Sequence, residues 1–190
     1  MIVFGVPLFD LLFVAALLLG FVAGFVQGVI RRALGIASLL FAFFLAAALR
    51  TPVGSLLAAN WTTLPGAYVE MLAFLGLFIV IAIASTVVIQ GFYNRTPISE
   101  ESEWLDELIG GALGTGQVIL VVGMFIIILD SYYGLAASTF DARELRLLRT
   151  IWDAVDMTAV ASFYRDVLIP IFIGLAGPFI PADIRRLYPA

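Results

Sequence analysis

The stretch GFVAGFVQGVIRR, residues 20–32, combines a regular glycine spacing with an almost unbroken run of apolar side chains. Gly20, Gly24 and Gly28 follow one another every four residues. Four residues advance about 400° around a helix, so all three glycines lie on one face. Ala16 extends that face by one turn. Glycine is a poor helix former in water, so a helix with this stripe needs a compensating reason.

The composition around this stretch is that of an integral membrane protein. Of the 190 residues, 63% are hydrophobic and only 13% are charged, whereas a typical soluble domain has roughly 25% charged residues. The mean hydropathy is +1.11, and the charges are gathered between long apolar runs. We therefore expect an all-α membrane protein whose apolar helices cross the bilayer.

The apolar runs predict a transmembrane domain over residues 1–134 and a different kind of region after it. The domain is expected to be a bundle of four transmembrane helices at about 7–30, 33–50, 67–91 and 109–133. The run at 33–50 is short for a span, but the arginines at its ends can snorkel to the interfaces. Residues 135–190 predict an amphipathic helix followed by an interfacial or re-entrant segment, because the apolar piece at 167–181 carries three prolines and is short for a crossing.

The amphipathic helix is predicted at about 140–157, lying in the plane of the membrane interface. Asp141 and Glu144 stand at capping-box spacing at its start. Its apolar seam consists of Leu145, Leu148, Trp152 and Val155. Arg143, Arg146 and Arg149 are expected to face away from that seam.

The small residues predict close packing of helices. Two helices gain little in lipid from hiding leucines, so they associate where small residues let their backbones approach. The second and fourth runs carry such residues at the same spacing, namely Ser38, Ala42 and Ala46, and Gly110 and Gly114. We expect the first helix to pack through its glycines against the second helix, the fourth helix or a second copy of the chain. A lumen or ligand groove lined by the same stripe is the alternative.

Charged residues at the ends of the predicted spans form a second pattern. With four crossings, one side of the bundle collects Asp10, Arg50, Glu70 and Asp130. We hypothesise that Arg50 pairs with at least one of the three carboxylates, and that Asp10 is favoured because the first two helices are neighbours in sequence. The opposite side collects Gln27, Gln90 and Gln117 with Arg31 and Arg32. A polar conduit through the bundle is one interpretation, and charges that mark the headgroup boundary are the favoured one.

The residue types that are missing narrow the chemistry. The chain has no cysteine and no histidine, and all 10 basic residues are arginines. A thiolate nucleophile, the commonest transition-metal ligand and the usual general base are therefore missing, and we expect no enzymatic activity, no cofactor and no metal. The net charge of −4 argues against a nucleic-acid partner. The expected partners are the lipid bilayer and either a second copy of the chain or other membrane-protein subunits.

Two motifs resemble the colicin V production protein (CvpA) family, an early aspartate with GFVQG at 24–28 and LDELIGGALGTGQ at 105–117. The positions that carry the resemblance are Asp10, Gly24, Phe25, Asp106, Gly110 and Gly114. The chain departs from the family at Gln27 and Gln117, where relatives usually carry a basic residue. The resemblance covers about residues 7–133. It implies a multi-pass protein of the bacterial inner membrane, linked to toxin production or export and to envelope physiology.

Two classes of function therefore stay open at the level of sequence. A scaffold or accessory protein, including a subunit of a larger membrane complex, requires only the packing stripes and the flanking amphipathic helix. A small channel or transporter requires the polar residues to line a shared path through the bundle.

Overall fold

The computed structural model describes residues 2–3, 6–92, 103–134 and 144–188, and these form an all-α membrane bundle. The long helices are α1 (Leu8–Gln27), α2 (Val29–Asn60), α3 (Gly66–Phe92) and α4 (Glu103–Tyr133). The short helices are α5 (Arg146–Asp156), α6 (Ala159–Phe163), α7 (Ile169–Ala176) and α8 (Ala182–Leu187). A π-helical turn (Tyr164–Leu168) joins α6 to α7, and a 3-10 turn (Gly177–Phe179) follows α7. Two short antiparallel strands, β1 (Ile2–Val3) and β2 (Val6–Pro7), precede α1.

The four long helices pack as two pairs that α2 connects. α1 lies against α4, α2 lies against α3, and α2 also contacts α4. Within α1 the buried residues are Gly20 and Gly24. α1 therefore touches the bundle through its glycine face and turns its leucines outward, where lipid tails are as apolar as the leucines themselves.

The core lies between α2, α3, α4 and the C-terminal segment, and an aromatic layer occupies its centre. Phe43 of α2 is fully buried, with its ring centroid 5.5 Å from that of Phe74 and 6.2 Å from that of Phe78. Phe172 of α7 adds a ring whose centroid is 5.9 Å from that of Phe43. Along α2, this layer lies between Arg32 and Arg50.

The break between the first two helices falls at Gly28 and not at Arg31 and Arg32, where the apolar pattern is interrupted. Gly28 has a φ of 76°, a left-handed conformation that glycine adopts freely and other residues disfavour. Since the connection is this one residue, both arginines lie in the first turn of α2.

α2 runs past the expected end at residue 50, through Pro52 to Asn60. Its 32 residues measure about 48 Å at about 1.5 Å per residue, which exceeds a hydrocarbon core of about 30 Å. A helix satisfies its own backbone hydrogen bonds in water as it does in lipid, so a water boundary need not end it. The polar residues after Arg50 therefore mark where α2 leaves the apolar region.

Among the described residues, five helical segments are long and apolar enough to cross a membrane, one more than the sequence predicts. The fifth segment, Ala159–Phe179, comprises α6, the π-helical turn, α7 and the 3-10 turn, and its contacts show its path. Arg165 near its start and Tyr188 beyond its end both bond Asp130, at the end of α4. Phe172 and Phe179 both lie against Phe44 of α2. The segment thus enters the bundle and returns at the same end of α4.

The amphipathic helix corresponds to α5, and it begins later than predicted. Asp141 and Arg143 lie outside the described residues. Val155 of α5 is buried, whereas Leu145, the residue that precedes the start of α5, is 53% exposed. The expectation that Arg149 faces away from the seam is wrong, because its guanidinium lies 5.4 Å from the ring centroid of Trp152.

Candidate functional site

The glycines of α1 meet those of α4 in direct backbone contact. A Cβ placed on Gly110 would stand 2.6 Å from the carbonyl oxygen of Gly24, and one placed on Gly20 would stand 2.9 Å from that of Gly114. Such distances are too short for any side chain. Of the partners considered for the first helix, the structure therefore brings α4 to this face. Ala16, one turn earlier, is half-buried.

At the end of this interface, Asp106 of α4 closes the turn between α1 and α2. Its Oδ1 accepts a hydrogen bond of 3.1 Å from the backbone N–H of Val29, and its Oδ2 lies against the Cα of Gly28. The carboxylate thus occupies the N-terminus of α2, where backbone donors lack helical partners. Any side chain at Gly28 would displace it.

The other members of the two motifs have different positions. Phe25 is 38% exposed, and its ring centroid lies 6.2 Å from that of Phe21 in the same helix. Asp10 has one carboxylate oxygen buried without a hydrogen-bond partner among the described residues.

The small residues of α2 are buried in the bundle, namely Ser38, Ala42 and Ala46. The hydroxyl of Ser38 donates a hydrogen bond to the backbone carbonyl of Leu34 in the same helix.

Among the described residues, Asp130 is the centre of the most extensively hydrogen-bonded polar group, which we call the Asp130 cluster (Asp130, Trp152, Arg165 and Tyr188). Arg165 donates from Nε to Oδ2 at 2.7 Å and from Nη2 to Oδ1 at 2.8 Å, a paired arrangement that suits a guanidinium. Trp152 donates to Oδ1 at 2.8 Å, and the Tyr188 hydroxyl donates to Oδ2 at 2.6 Å. Asp130 is 4% exposed. Both oxygens are therefore occupied by donors from the C-terminal segment.

The predicted grouping of Asp10, Arg50, Glu70 and Asp130 is only partly brought together. Arg50 is 5% exposed and forms its ion pair with Asp183 of α8, not with Asp10 or Asp130. Glu70 lies beside Gly54, one turn beyond Arg50, and is near enough for its charge to act on Arg50. Burial explains the pairing, because a buried guanidinium needs a carboxylate and α8 brings one to it.

Sequence reasoning missed the C-terminal partners, namely Trp152, Arg165, Asp183 and Tyr188. Arg165 and Tyr188 are 35 and 58 residues from Asp130, and Asp183 is 133 residues from Arg50. No local spacing connects residues so far apart. The one available signal was the pair of charges Arg165 and Asp183 at the two ends of an apolar segment.

An open cavity of about 630 Å³ lies over the Asp130 cluster. Asp156 and Asp166 line it together with Asp130, Arg165 and Trp152. Asp156 also pairs with Arg165, so this arginine bridges two carboxylates. Burial, together with the charge of Asp130, raises the pKa of Tyr188 far above its usual range. The phenol therefore stays protonated and keeps donating to Asp130.

Glu144 anchors the chain just before α5. It is 5% exposed and accepts a hydrogen bond of 2.7 Å from the hydroxyl of Tyr132. The backbone N–H of Leu145 donates to the hydroxyl of Tyr68 at 3.2 Å. These contacts hold the start of α5 against α3 and α4. Among the described residues, no group of three or more carboxylates has an arrangement that could hold a metal ion.

At the opposite end of the bundle, Arg32 donates from Nη1 to Oε1 of Gln117 at 2.8 Å. Gly35 lies beside the same amide, since a Cβ placed on Gly35 would stand 3.4 Å from the Nε2 and Oε1 atoms of Gln117. The two polar ends are thus Arg32 with Gln117 and the Asp130 cluster, and the aromatic layer around Phe43 lies between them.

Comparison with known proteins supports the two sequence motifs, which the contact between α1 and α4 brings together. A search of curated proteins and a search of solved structures each gave no match. The model of one family, described as colicin V production protein, matches residues 9–153. The match extends from α1 through most of α5 and includes every motif position from Asp10 to Gly114. The chain is a multi-pass membrane protein, and it belongs to the colicin V production protein family.

Proposed function

We propose that this chain is a scaffold or accessory protein of the bacterial inner membrane that supports toxin production or export and envelope physiology, the roles that its family implies. The observation that carries the proposal is the closed apolar core between the two polar ends. Phe43, Phe74 and Ile128 are each 0% exposed in that core. A bundle filled at its centre suits a rigid platform better than a path for solutes.

The bonding of Asp130 supports the same function. A carboxylate that binds or relays a solute needs an oxygen that is free to meet it. The two oxygens of Asp130 instead accept four hydrogen bonds from the C-terminal segment. A buried carboxylate with that many donors stabilises a fold, because it fastens one segment to another.

We infer that the chain is not an enzyme, since it has no cysteine nucleophile, no histidine base and no motif that would replace them. Its partners in this proposal are the bilayer and either a second copy or other membrane-protein subunits, but no nucleic acid. Exposed apolar side chains along α1 and α3, such as Leu19 and Val80, provide surface for lipid or for such subunits.

Ion flux in proteoliposomes tests the scaffold against the channel. Vesicles containing the purified protein should release K⁺, Cl⁻ and H⁺ no faster than protein-free vesicles. Phe74→Ala opens the aromatic layer and should create a leak, whereas Phe41→Ala, at a ring that is 58% exposed, should not. Flux through the wild-type protein that Asp130→Asn abolishes would instead establish the channel or transporter.

Co-purification tests the accessory role. Extraction in a mild detergent, followed by mass spectrometry, should recover the chain with a second copy or with other membrane proteins in fixed proportion. An isolated monomer at native expression levels, after cross-linking in intact cells, would contradict an accessory function.

A further inference from the structure

A small polar cavity lies at the end of the bundle opposite the Asp130 cluster, and we call it the Arg32 cavity. Its polar lining consists of Gln27, Arg31, Arg32, Ser38, Thr86 and Gln117. Its volume is about 60 Å³, roughly that of two water molecules at about 30 Å³ each. It therefore admits a small polar group and not a whole headgroup.

The Arg32 cavity carries positive charge and hydrogen-bond donors that the described residues do not satisfy. Arg32 uses Nη1 on Gln117, but its Nε is buried without a hydrogen-bond partner in the described part of the chain. Asp106, the acidic residue of the second family motif, already accepts a hydrogen bond from the backbone N–H of Val29, and its other oxygen faces Gly28. Arg31 is adjacent and exposed. Two guanidinium groups share this cavity, and none of the described residues that line it is a carboxylate, so the lining favours an oxyanion.

An apolar groove continues from this cavity between α2 and α3. Its volume is about 520 Å³, and its lining includes Ala37, Phe41, Val80, Ala84 and Val88. The cavity and the groove share Ser38 and Ile89 in their linings, so they form one continuous depression. From Arg32 to Phe41 the helix rises about 14 Å, close to half of a hydrocarbon core of about 30 Å. The groove thus has the depth of one leaflet.

We propose that the Arg32 cavity and the α2–α3 groove together bind one anionic phospholipid. Its phosphate oxygens accept hydrogen bonds from Arg32 and Arg31 at the membrane boundary. One of its acyl chains lies in the groove between Phe41 and Val80. The join between a cationic cavity and an apolar groove of leaflet depth selects a lipid over a soluble anion, because a soluble anion would leave the groove unfilled.

Lipid retention measured by native mass spectrometry tests this site in the full chain. Protein purified from vesicles of phosphatidylglycerol should keep one lipid, whereas protein from phosphatidylcholine vesicles should keep none. Arg32→Gln removes charged hydrogen bonds and should weaken retention by about tenfold or more. Ala84→Phe fills the groove from an exposed position and should reduce retention as well.

Matched controls separate the site from general effects on the protein. Arg146→Gln removes an exposed arginine at the opposite end of the bundle, and Ala15→Phe adds a ring to the outer face of α1. Both should retain phosphatidylglycerol as the wild type does. Arg31→Gln provides a second test of the cavity if Arg32→Gln does not fold, because Arg31 is exposed.

Two results would overturn the proposal. One is equal retention of phosphatidylglycerol by the wild type, Arg32→Gln and Ala84→Phe. The other is displacement of the lipid by inorganic phosphate added in detergent, with equal binding of phosphate to the wild type and to Ala84→Phe. That second result would identify a site for free phosphate without an acyl chain.

Discussion

Asp106 accepts a 3.1 Å hydrogen bond from the backbone N–H of Val29, which lies 77 residues earlier in the chain. This bond joins the first turn of α4 to the N-terminus of α2, and the same carboxylate lies over the Cα of Gly28. A carboxylate there satisfies a backbone donor that the helix cannot satisfy and complements the positive end of the helix dipole. One residue of the family motif thus sets the turn and the position of α4 together.

Replacement of Asp106 should show the value of this contact. Asp106→Ala should lower the stability by about 1–2 kcal/mol, since it removes a helix cap, and Asp106→Asn should lose less because it keeps an acceptor. Thermal unfolding in detergent measures both. Glu107→Ala removes a neighbouring acid that is not engaged at α2 and serves as the control. Equal losses in Asp106→Ala and Glu107→Ala would show that capping is unimportant.

The glycine interface predicts a sharp difference in stability between substitutions at a glycine inside the interface, Gly24, and at a helical glycine outside it, Gly116. Gly24→Ala forces a Cβ against the carbonyl of Gly110 and should cost about 1–3 kcal/mol, with a larger loss for Gly24→Leu. Gly116→Ala has open space around its Cβ and should be neutral or stabilising by up to about 1 kcal/mol. Unfolding of both variants in the same detergent gives the comparison. If they behave alike, α1 and α4 do not rely on close approach.

The pair of Asp130 and Arg165 should behave as a coupled unit. The two side chains are 5% and 23% exposed, and loss of one partner leaves a charge with little access to water. Asp130→Asn and Arg165→Gln should each cost about 3–5 kcal/mol, and the double variant should recover part of the summed loss. A double-mutant cycle on unfolding in detergent measures the coupling, with Arg186→Gln as an exposed control. Strictly additive losses would rule out the coupling.

Tyr188 predicts an alkaline dependence of stability. Its pKa in the folded protein is raised by burial and by Asp130, whereas an unfolded tyrosine titrates near about 10. The stability that its phenol contributes is therefore complete below about pH 10 and falls as the pH rises further. Tyr188→Phe should be less stable by about 1–3 kcal/mol at neutral pH. That difference should shrink as the pH rises above about 10, and a difference independent of pH would contradict the assignment.

Much of the bundle could be predicted because its causes are local. Long apolar runs specify helices in lipid, and the spacing of Gly20, Gly24, Gly110 and Gly114 specifies which faces are smooth. The early end predicted for α2 was wrong, since polar residues after Arg50 mark a change of solvent and not a change of backbone. The break at Gly28 depended on a left-handed turn that its surroundings permit, and a lone glycine in a glycine-rich helix does not reveal that turn.

Hydropathy and residue spacing are properties of neighbouring residues, so they predict the membrane environment, the helices and the family without a structure. Which polar groups meet depends on how the helices pack. The packing pairs Arg50 with Asp183 and Asp130 with Arg165, and it places the apolar groove beside Arg32. The physical reason is that a buried charge takes whichever partner the folded chain brings within hydrogen-bond reach, and that partner can be more than a hundred residues away.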